Sequence, residues 1–257
     1  MSQTITLPNR QSSTLSRVLI FAYGVTCYAL GVSGLVWLIL VTLGIVPFAV
    51  GPIEIATPAA AIGFNIALVA LFGIQHAIMA RPWFKERWTK IIPASAERST
   101  FTLLAGLLMA NMMFLWQPLG AEIWTVQNET VQLAMRGLCA FGWVYMLTAT
   151  FAIDHFELFG LKQVYRQLRG DSTPAPAFQQ RLMYHFDRHP LMTGVLIAIW
   201  SQPVMRLDNL VLALGLTFYI GLGVAIEERD LVRLHGDSYR NYRNKTRTIV
   251  PLMGNRG

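Results

Sequence analysis

The chain is dominated by apolar runs long enough to cross a lipid bilayer, and these runs limit what it can fold into. A spanning helix needs about 20 mostly apolar residues, and backbone groups surrounded by lipid must be hydrogen-bonded within the protein. Only 14% of the 257 residues are charged and 54% are hydrophobic, whereas soluble domains carry about 25% charged residues. We therefore predict an all-α fold, a polytopic helical bundle in a membrane. The candidate segments are residues 18–46, 59–79, 100–116, 133–153, 190–205 and 210–226.

The last two candidates are short and are separated only by "RLDN". They predict a short helical hairpin, so that five or six helices span the membrane. We expect one membrane domain over 1–257, with four helices in 18–153, and with a cytoplasmic loop, the hairpin and a helical tail in 154–257. The first apolar run is too long for a signal-peptide core, which favours a retained helix. The stretch "DSTPAPAF" (171–178) is typical of a loop.

The basic residues fall in alternate loops. Of the 21 Lys and Arg residues, all but Arg136 and Arg206 lie before the first segment, in 80–98, in 154–189 or after residue 228. By the positive-inside rule, both termini and the long loops are cytoplasmic, and we expect the inner membrane of a bacterium. The rule also explains the net charge of +7, so that binding to nucleic acid is not needed to account for it. All five histidines lie at this side, so a reaction site should face the cytoplasm.

The middles of the segments are nearly free of ionisable residues, which argues against a transporter or proton pump. Asn65, Asn111 and Gln202 are the few polar side chains there, and hydrogen bonds between helices would explain them. Cys27 and Cys139 lie in apolar segments without metal-ligand spacing, so no metal is expected. The pattern favours an enzyme that works at the membrane surface.

The densest polar cluster, "YHFDRHPLMTG" (184–194), directly precedes an apolar run. Pro190 suits the first turn of a helix, which Asp187 or His189 could cap. The free N–H groups at a helix start attract anions, and Arg188 can hold a carboxylate through two hydrogen bonds. This junction favours a site for a carboxylate or phosphate, although snorkelling charges are the simpler alternative.

A second polar stretch, "EERDLVRLHGDSYRNYRNKT" (227–246), follows the last segment. The pair Glu227 and Glu228 needs partners to be stable near the membrane, and a ribose diol, an amino group or Arg188 could serve. The sequence predicts a helix end at His235, and it places Tyr239 and Tyr242 on one face of a following helix.

Together these stretches resemble the membrane methyltransferases related to isoprenylcysteine carboxyl methyltransferase. The shared pattern is R-H-P-x-x-x-G, a helical hairpin, E-E-x-x-L and G-x-x-Y-x-x-Y. Met192 stands where many relatives carry an aromatic residue, which favours a small thiol over a prenylated substrate. The matching residues are Arg188, His189, Pro190, Gly194, Glu227, Glu228, Leu231, Gly236, Tyr239 and Tyr242.

Two upstream stretches extend the resemblance over nearly the whole chain. "QHAIMARPWFKERWTKIIPASAERST" (75–100) and "DHFELFGLKQVY" (154–165) are similar to the NnrU-like branch. That branch includes bacterial enzymes that methylate methanethiol to dimethyl sulfide. The resemblance implies S-adenosylmethionine as methyl donor, S-adenosylhomocysteine as product and a small thiol as acceptor, with no obligate protein partner.

Methyl transfer to a thiol needs a thiolate, which at pH 7 costs at least about 2 kcal/mol. A base or a nearby cation is therefore useful. The cluster of Asp154, His155, Tyr184 and His185 is our candidate for handling the thiol.

The resemblance implies a binding site for the methyl donor downstream of this cluster. We expect Arg188 and His189 to hold its carboxylate, and Glu227 or Glu228 to hold its ribose or amino group. Pro190, Gly194, Leu231 and Tyr239 complete the expected donor site.

Several alternatives remain open. The acceptor could be a prenylcysteine carboxylate, a lipid amine or hydrogen sulfide, and a non-catalytic membrane protein of the NnrU type is also compatible with the sequence. His76 could be a ligand-binding residue or could simply bond a carbonyl at the interface. His235 is expected only to end a helix, and Arg98 with Glu97 to form an ordinary surface pair.

Overall fold

The structure is a computed structural model, and it describes residues 13–48, 51–171 and 181–249. The predicted loop at 171–178 and the polar N-terminus lie almost entirely outside these ranges.

Ten α-helices and two short strands form within the described residues. The helices are α1 Thr14–Thr42, α2 Pro58–Met79, α3 Pro82–Trp88, α4 Glu97–Leu115, α5 Glu129–Ile153, α6 His155–Leu158, α7 Leu161–Arg169, α8 Pro190–Trp200, α9 Leu207–His235 and α10 Asp237–Lys245. The strands are β1 Glu122–Thr125 and β2 Val204–Arg206.

Five of these helices, α1, α2, α4, α5 and α9, are long and apolar enough to cross a membrane, with a 3-10 turn at Ala94–Ala96 leading into α4. Large apolar side chains point away from the bundle, as Leu133 (71% exposed) and Phe218 (70% exposed) illustrate. Such exposure suits lipid contact rather than water. The prediction of a polytopic helical membrane protein is confirmed.

The prediction that the sixth segment is short is wrong. Helix α9 has 29 residues and continues beyond Glu227 and Glu228 to His235. The apolar run stops at Ile226, but Glu, Arg and Leu favour helices, so the helix outlasts its apolar part. The fifth segment is short, because α8 ends at Trp200 and β2 follows. Strand β2 pairs antiparallel with β1, in a small sheet that the sequence did not indicate.

Helix starts follow ordinary capping chemistry. The side chains of Ser13, Thr57 and Asn128 each accept a hydrogen bond from the backbone N–H three residues ahead, at 3.3, 3.3 and 3.1 Å. Such caps satisfy N–H groups that have no partner within the helix. Pro190 occupies the start of α8 as predicted, where its missing N–H costs nothing.

Glycines allow two pairs of helices to touch through their backbones. A Cβ atom on Gly106 of α4 would lie 2.1 Å from the carbonyl oxygen of Gly31 on α1, and one on Gly194 of α8 would lie 2.5 Å from that of Gly142 on α5. Small residues at crossings are the usual basis of helix association in lipid. These contacts set the α1–α4 and α5–α8 pairs.

Two polar side chains inside the bundle are hydrogen-bonded to other elements. The amide of Asn65, fully buried on α2, donates to the carbonyl of Gln117 at 2.8 Å and accepts from its N–H at 2.9 Å. The indole of Trp143 donates to the Thr42 hydroxyl at 2.9 Å. Bonding between elements thus explains Asn65, as the sequence predicted.

Helices α2 and α9 run in the same direction, since Val69 and Gly73 meet Gly215 and Tyr219 in that order. Their C-terminal ends therefore lie at one end of the bundle. The basic loops between α2 and α4 and between α5 and α8 connect at this end too. The polar stretches singled out in the sequence are consequently gathered there.

We expect Gly106→Val to destabilise the protein by about 1–3 kcal/mol, because the new side chain would collide with the α1 backbone. Gly137→Val on α5 is the matched control, since a Cβ there meets nothing within 4 Å. Thermal unfolding in detergent measures both. An equal loss in the two variants would contradict the backbone contact.

Candidate functional site

The chain just before α8 pairs with the C-terminal tail through an isolated β-bridge between Asp187 and Arg247. The N–H of Arg188 donates to the carbonyl of Arg247 at 2.9 Å, and the N–H of Arg247 donates to that of Phe186 at 3.1 Å. His189 precedes Pro190, and a residue before proline is pushed out of the helical region. Arg188 and His189 therefore lie outside the helix, directly before the start of α8.

The guanidinium of Arg188 is bonded entirely to its own chain. Its Nε donates to Oε1 of Glu228 at 2.7 Å, and its Nη1 donates to the carbonyl of Arg243 at 2.8 Å. Further bonds reach the Thr246 carbonyl and the Thr248 hydroxyl. The side chain is only 1% exposed. Direct contact between Arg188 and a bound molecule stays a prediction, while the observed bonds join α8, α9 and the tail.

His189 lies between the two acids of α9. Its Nε2 is 3.3 Å from Oε1 of Glu228, and its Nδ1 is 3.6 Å from Oε2 of Glu227. The Glu228 side chain is 16% exposed, whereas that of Glu227 is 48% exposed. The predicted proximity of the Arg-His pair and the Glu pair is therefore present, with Glu227 the acid that remains accessible.

Asp187 is fully buried next to His189 and helps to hold it in place. Its carboxylate accepts from the His189 N–H at 3.0 Å and from the Tyr145 hydroxyl at 3.2 Å. Burial raises the pKa of Asp187 above its ordinary value, although these hydrogen bonds oppose the shift. Sequence reasoning missed Tyr145, because a single tyrosine in an apolar helix gives no signal of its partner.

Tyr184 brings a free hydroxyl to the cluster. Its Oη is buried without a hydrogen-bond partner among the described residues, while its backbone carbonyl accepts from the Tyr242 hydroxyl at 2.5 Å. Burial, and then the charge of Glu227, raise the pKa of Tyr184, so the phenol stays protonated at neutral pH. Burial likewise raises the pKa of Tyr242 to about 12. The hydroxyl of Tyr184 is therefore a hydrogen-bond donor available to a bound molecule.

A cavity of about 430 Å³ borders Glu228 on the side facing α10. Ligand sites commonly have volumes of about 300–1,000 Å³. The Nε atom of Arg243 is buried there without a partner among the described residues. Three arginines and one glutamate give the cavity a cationic lining suited to a carboxylate. It is lined by Ala225, Glu228, Arg229, Val232, Arg233 and Arg243.

His155 and Asp154 belong to a different environment. The His155 ring bonds the Tyr28 hydroxyl through Nε2 and the Thr150 hydroxyl through Nδ1, both at 2.8 Å. Burial lowers the pKa of His155, while Asp154 opposes that shift. Asp154 caps α6 and pairs with Lys162. No hydrogen bond, ion pair or ring contact among the described residues joins these two residues to Tyr184, whose apolar neighbours include Ala149 and Met183.

The other predicted site residues lie at varied distances from the cluster. His185 is exposed, and its Nδ1 lies 3.0 Å from the Leu182 carbonyl. Gly194 packs at the α5–α8 crossing, Leu231 is half-buried on α9, and Tyr239 is buried on α10 beside Tyr242. Within the described ranges, no three His, Cys, Asp or Glu side chains are grouped to hold a metal ion.

Comparison with known proteins gives several relatives over most of the chain. Methanethiol S-methyltransferase 1 of Bradyrhizobium diazoefficiens is 37% identical over 245 residues, covering 95% of this chain and 86% of the relative. Methanethiol S-methyltransferase of Mycobacterium tuberculosis is 41% identical over 191 residues, covering 74% and 78%. Nurim of Rattus norvegicus is 29% identical over 189 residues, covering 70% and 72%. No family model and no solved structure matches the chain.

We expect Glu228→Gln to destabilise the protein by about 3 kcal/mol, because it leaves the buried guanidinium of Arg188 without its counter-charge. Asp237→Asn is the control, since it breaks the exposed Asp237–Arg240 pair, and exposed pairs contribute about 0–1 kcal/mol. Thermal unfolding of the purified protein compares the two. Similar losses in both variants would show that the Arg188–Glu228 pair contributes no more to stability than an exposed ion pair does.

Proposed function

The chain belongs to the methanethiol S-methyltransferase family, and we propose that it methylates methanethiol to dimethyl sulfide with S-adenosylmethionine as methyl donor. The observation that carries this proposal is the junction of Arg188, His189, Glu227 and Glu228, where a polar site meets the apolar bundle. Such a junction suits a reaction between a water-soluble donor and an acceptor that dissolves in lipid. When bound, S-adenosylmethionine supplies an electrophilic methyl group on a positively charged sulfur.

The residues present fit such a donor. Its amino-acid end carries one carboxylate and one ammonium group, and its ribose carries a diol. The partly exposed Glu227 and the less exposed Glu228 can accept hydrogen bonds from the ammonium or the diol. The unpartnered Arg243 Nε and the neighbouring arginines of the cavity can hold the carboxylate. Arg188 and His189 then act by fixing the two glutamates, in addition to any direct contact they make.

Tyr184 is the residue of the predicted catalytic set that we place beside the donor. Its buried, protonated hydroxyl has no partner among the described residues and lies within electrostatic range of Glu227. The other members, Asp154, His155 and His185, remain candidates for handling the thiol. Against His155 stands the fact that both of its ring nitrogens are already hydrogen-bonded to hydroxyl groups, so that neither is open to a thiol.

The membrane setting explains how two unlike reactants could meet. A small apolar thiol partitions into the bilayer and can enter between the helices, while the donor arrives from the aqueous side. We further propose that the basic end of the bundle faces the cytoplasm of a bacterial inner membrane, with both termini there. The whole chain, 1–257, would then act as one membrane methyltransferase domain.

The purified protein in detergent, given S-adenosylmethionine and methanethiol, should produce dimethyl sulfide and S-adenosylhomocysteine in equal amounts. Gas chromatography measures the first and liquid chromatography the second. Hydrogen sulfide and a prenylcysteine, supplied separately, test other acceptors.

His189→Ala should reduce the rate at least about tenfold, since removing a partner of a charged hydrogen bond costs about 1.5–3 kcal/mol. Full activity in this variant would contradict the site assignment, and no product from the wild type would contradict the proposed reaction.

Tyr184→Phe should lower the rate about 10–100-fold, because it removes a hydrogen bond that only a bound molecule can accept. The fold should be unaffected, as the hydroxyl has no partner in the protein. Tyr165→Phe on α7, where the tyrosine is 47% exposed, is the matched control. Initial rates, with thermal unfolding measured alongside, separate catalysis from stability. A Tyr184→Phe enzyme with the wild-type rate would remove Tyr184 from the site.

A further inference from the structure

Three buried polar atoms without hydrogen-bond partners lie close together in sequence at the end of α2 and in α3. They are Oε1 of Gln75, Nδ1 of His76 and Nε1 of Trp88, and no described residue bonds them. An unsatisfied buried polar atom typically costs about 1–3 kcal/mol. Natural structures contain few of them, and each calls for an explanation. These three atoms are therefore candidate contacts for a bound molecule.

Aromatic rings surround the imidazole of His76. Its ring centre lies 4.7 Å from that of Phe101 on α4, 5.5 Å from that of Phe72 on α2 and 6.1 Å from that of Tyr219 on α9. We call these three rings the aromatic box. Sulfur makes favourable contacts with aromatic rings, of about 0.3–1.5 kcal/mol each. A small molecule with sulfur and a methyl group that reaches the imidazole would therefore contact these rings.

Positive charge is concentrated beside the box. Arg98 lies with its Cζ 5.6 Å from the Phe101 ring and acts electrostatically on His76 and Lys85. Burial, and then Arg98, lower the pKa of Lys85, while Glu97 opposes the shift and Arg81 adds to it. Cations outnumber acids here, so the region favours a bound anion. A thiolate is such an anion.

The box adjoins the acid pair of the donor site through α9. Tyr219 lies within electrostatic range of Glu227 and Arg81, and Glu227 is also the neighbour of His189 and Tyr184. Arg81 fixes the end of α2 against α9 by donating to Asp230 Oδ2 at 2.6 Å. Glu227 thus lies within electrostatic range both of Tyr219 in the aromatic box and of Tyr184 in the donor site.

We propose that His76 is the catalytic base for the acceptor thiol, which binds in the aromatic box; this inference rests on the proposed function. The neutral imidazole accepts the thiol proton at Nδ1, with its own proton on Nε2. The thiol sulfur uses the freed electron pair to bond the donor's methyl carbon. The pair of the broken carbon–sulfur bond stays on the donor's sulfur, and the imidazolium then releases its proton to water.

The test compares His76→Ala and His76→Gln with the wild type in detergent. Both variants should lose about 100-fold or more in kcat with methanethiol, the lower range for a lost general base. Binding of S-adenosylmethionine, measured by isothermal titration calorimetry, should keep its wild-type Kd. Added imidazole should restore part of the rate in His76→Ala, where it can occupy the space of the missing ring, and not in His76→Gln.

His235→Ala at the end of α9 is the matched control and should keep the wild-type rate. His76→Gln keeps a side chain of similar size. Thermal unfolding of both variants, compared with the wild type, shows whether His76→Ala loses activity only through misfolding. Wild-type rates in either His76 variant, or a rate loss that imidazole leaves unchanged in a folded His76→Ala protein, would overturn the inference. If the wild type itself forms no dimethyl sulfide, the proposed function fails, and the assignment of His76 as base falls with it.

Discussion

The arrangement of the candidate site depends on one buried cation, the guanidinium of Arg188. It is 1% exposed and bonds Glu228 of α9 together with carbonyl and hydroxyl groups of the C-terminal tail. An isolated charge at this depth would be too costly, because several kcal/mol of desolvation must be offset by partners. The chain therefore has to bring the start of α8, the end of α9 and the tail to one point. His189 and Glu227 take their positions from that assembly.

Around Arg188, the polar residues and the aromatic residues of the candidate site lie in different places. The acids, arginines and Tyr184 lie where the helices leave the apolar bundle, and the aromatic box of Phe72, Phe101 and Tyr219 surrounds His76 near the end of α2. A polar donor and a lipid-soluble thiol would each find a matching environment. The methyl carbon has to be approached by sulfur in line with the bond that breaks, and holding reactants in such a geometry is a large part of catalysis.

The histidines of the chain differ in how much of their surroundings a local sequence pattern indicates. His189 stands out through a local feature, its position before Pro190 at a helix start, while its contact with the Glu pair of α9 comes from the tertiary structure. His155 was assigned to thiol chemistry on its proximity in sequence to acids, yet its ring is bonded to Tyr28 of α1, which lies far away in the chain. His76 was left undecided, because the rings that enclose it come from α4 and α9. Spacing along a chain carries no information about such partners.

The sequence by itself determined the helical membrane architecture, the basic end of the bundle, the helix start at Pro190 and the helix end at His235. Each of these follows from local composition, from backbone restriction or from the cost of polar groups in lipid. Only the tertiary structure decided the length of α9 beyond its apolar part, the packing role of Gly194, the internal bonds of Arg188 and the enclosure of His76. These depend on which helices touch, and contacts between distant segments arise from packing of the whole bundle rather than from any local pattern.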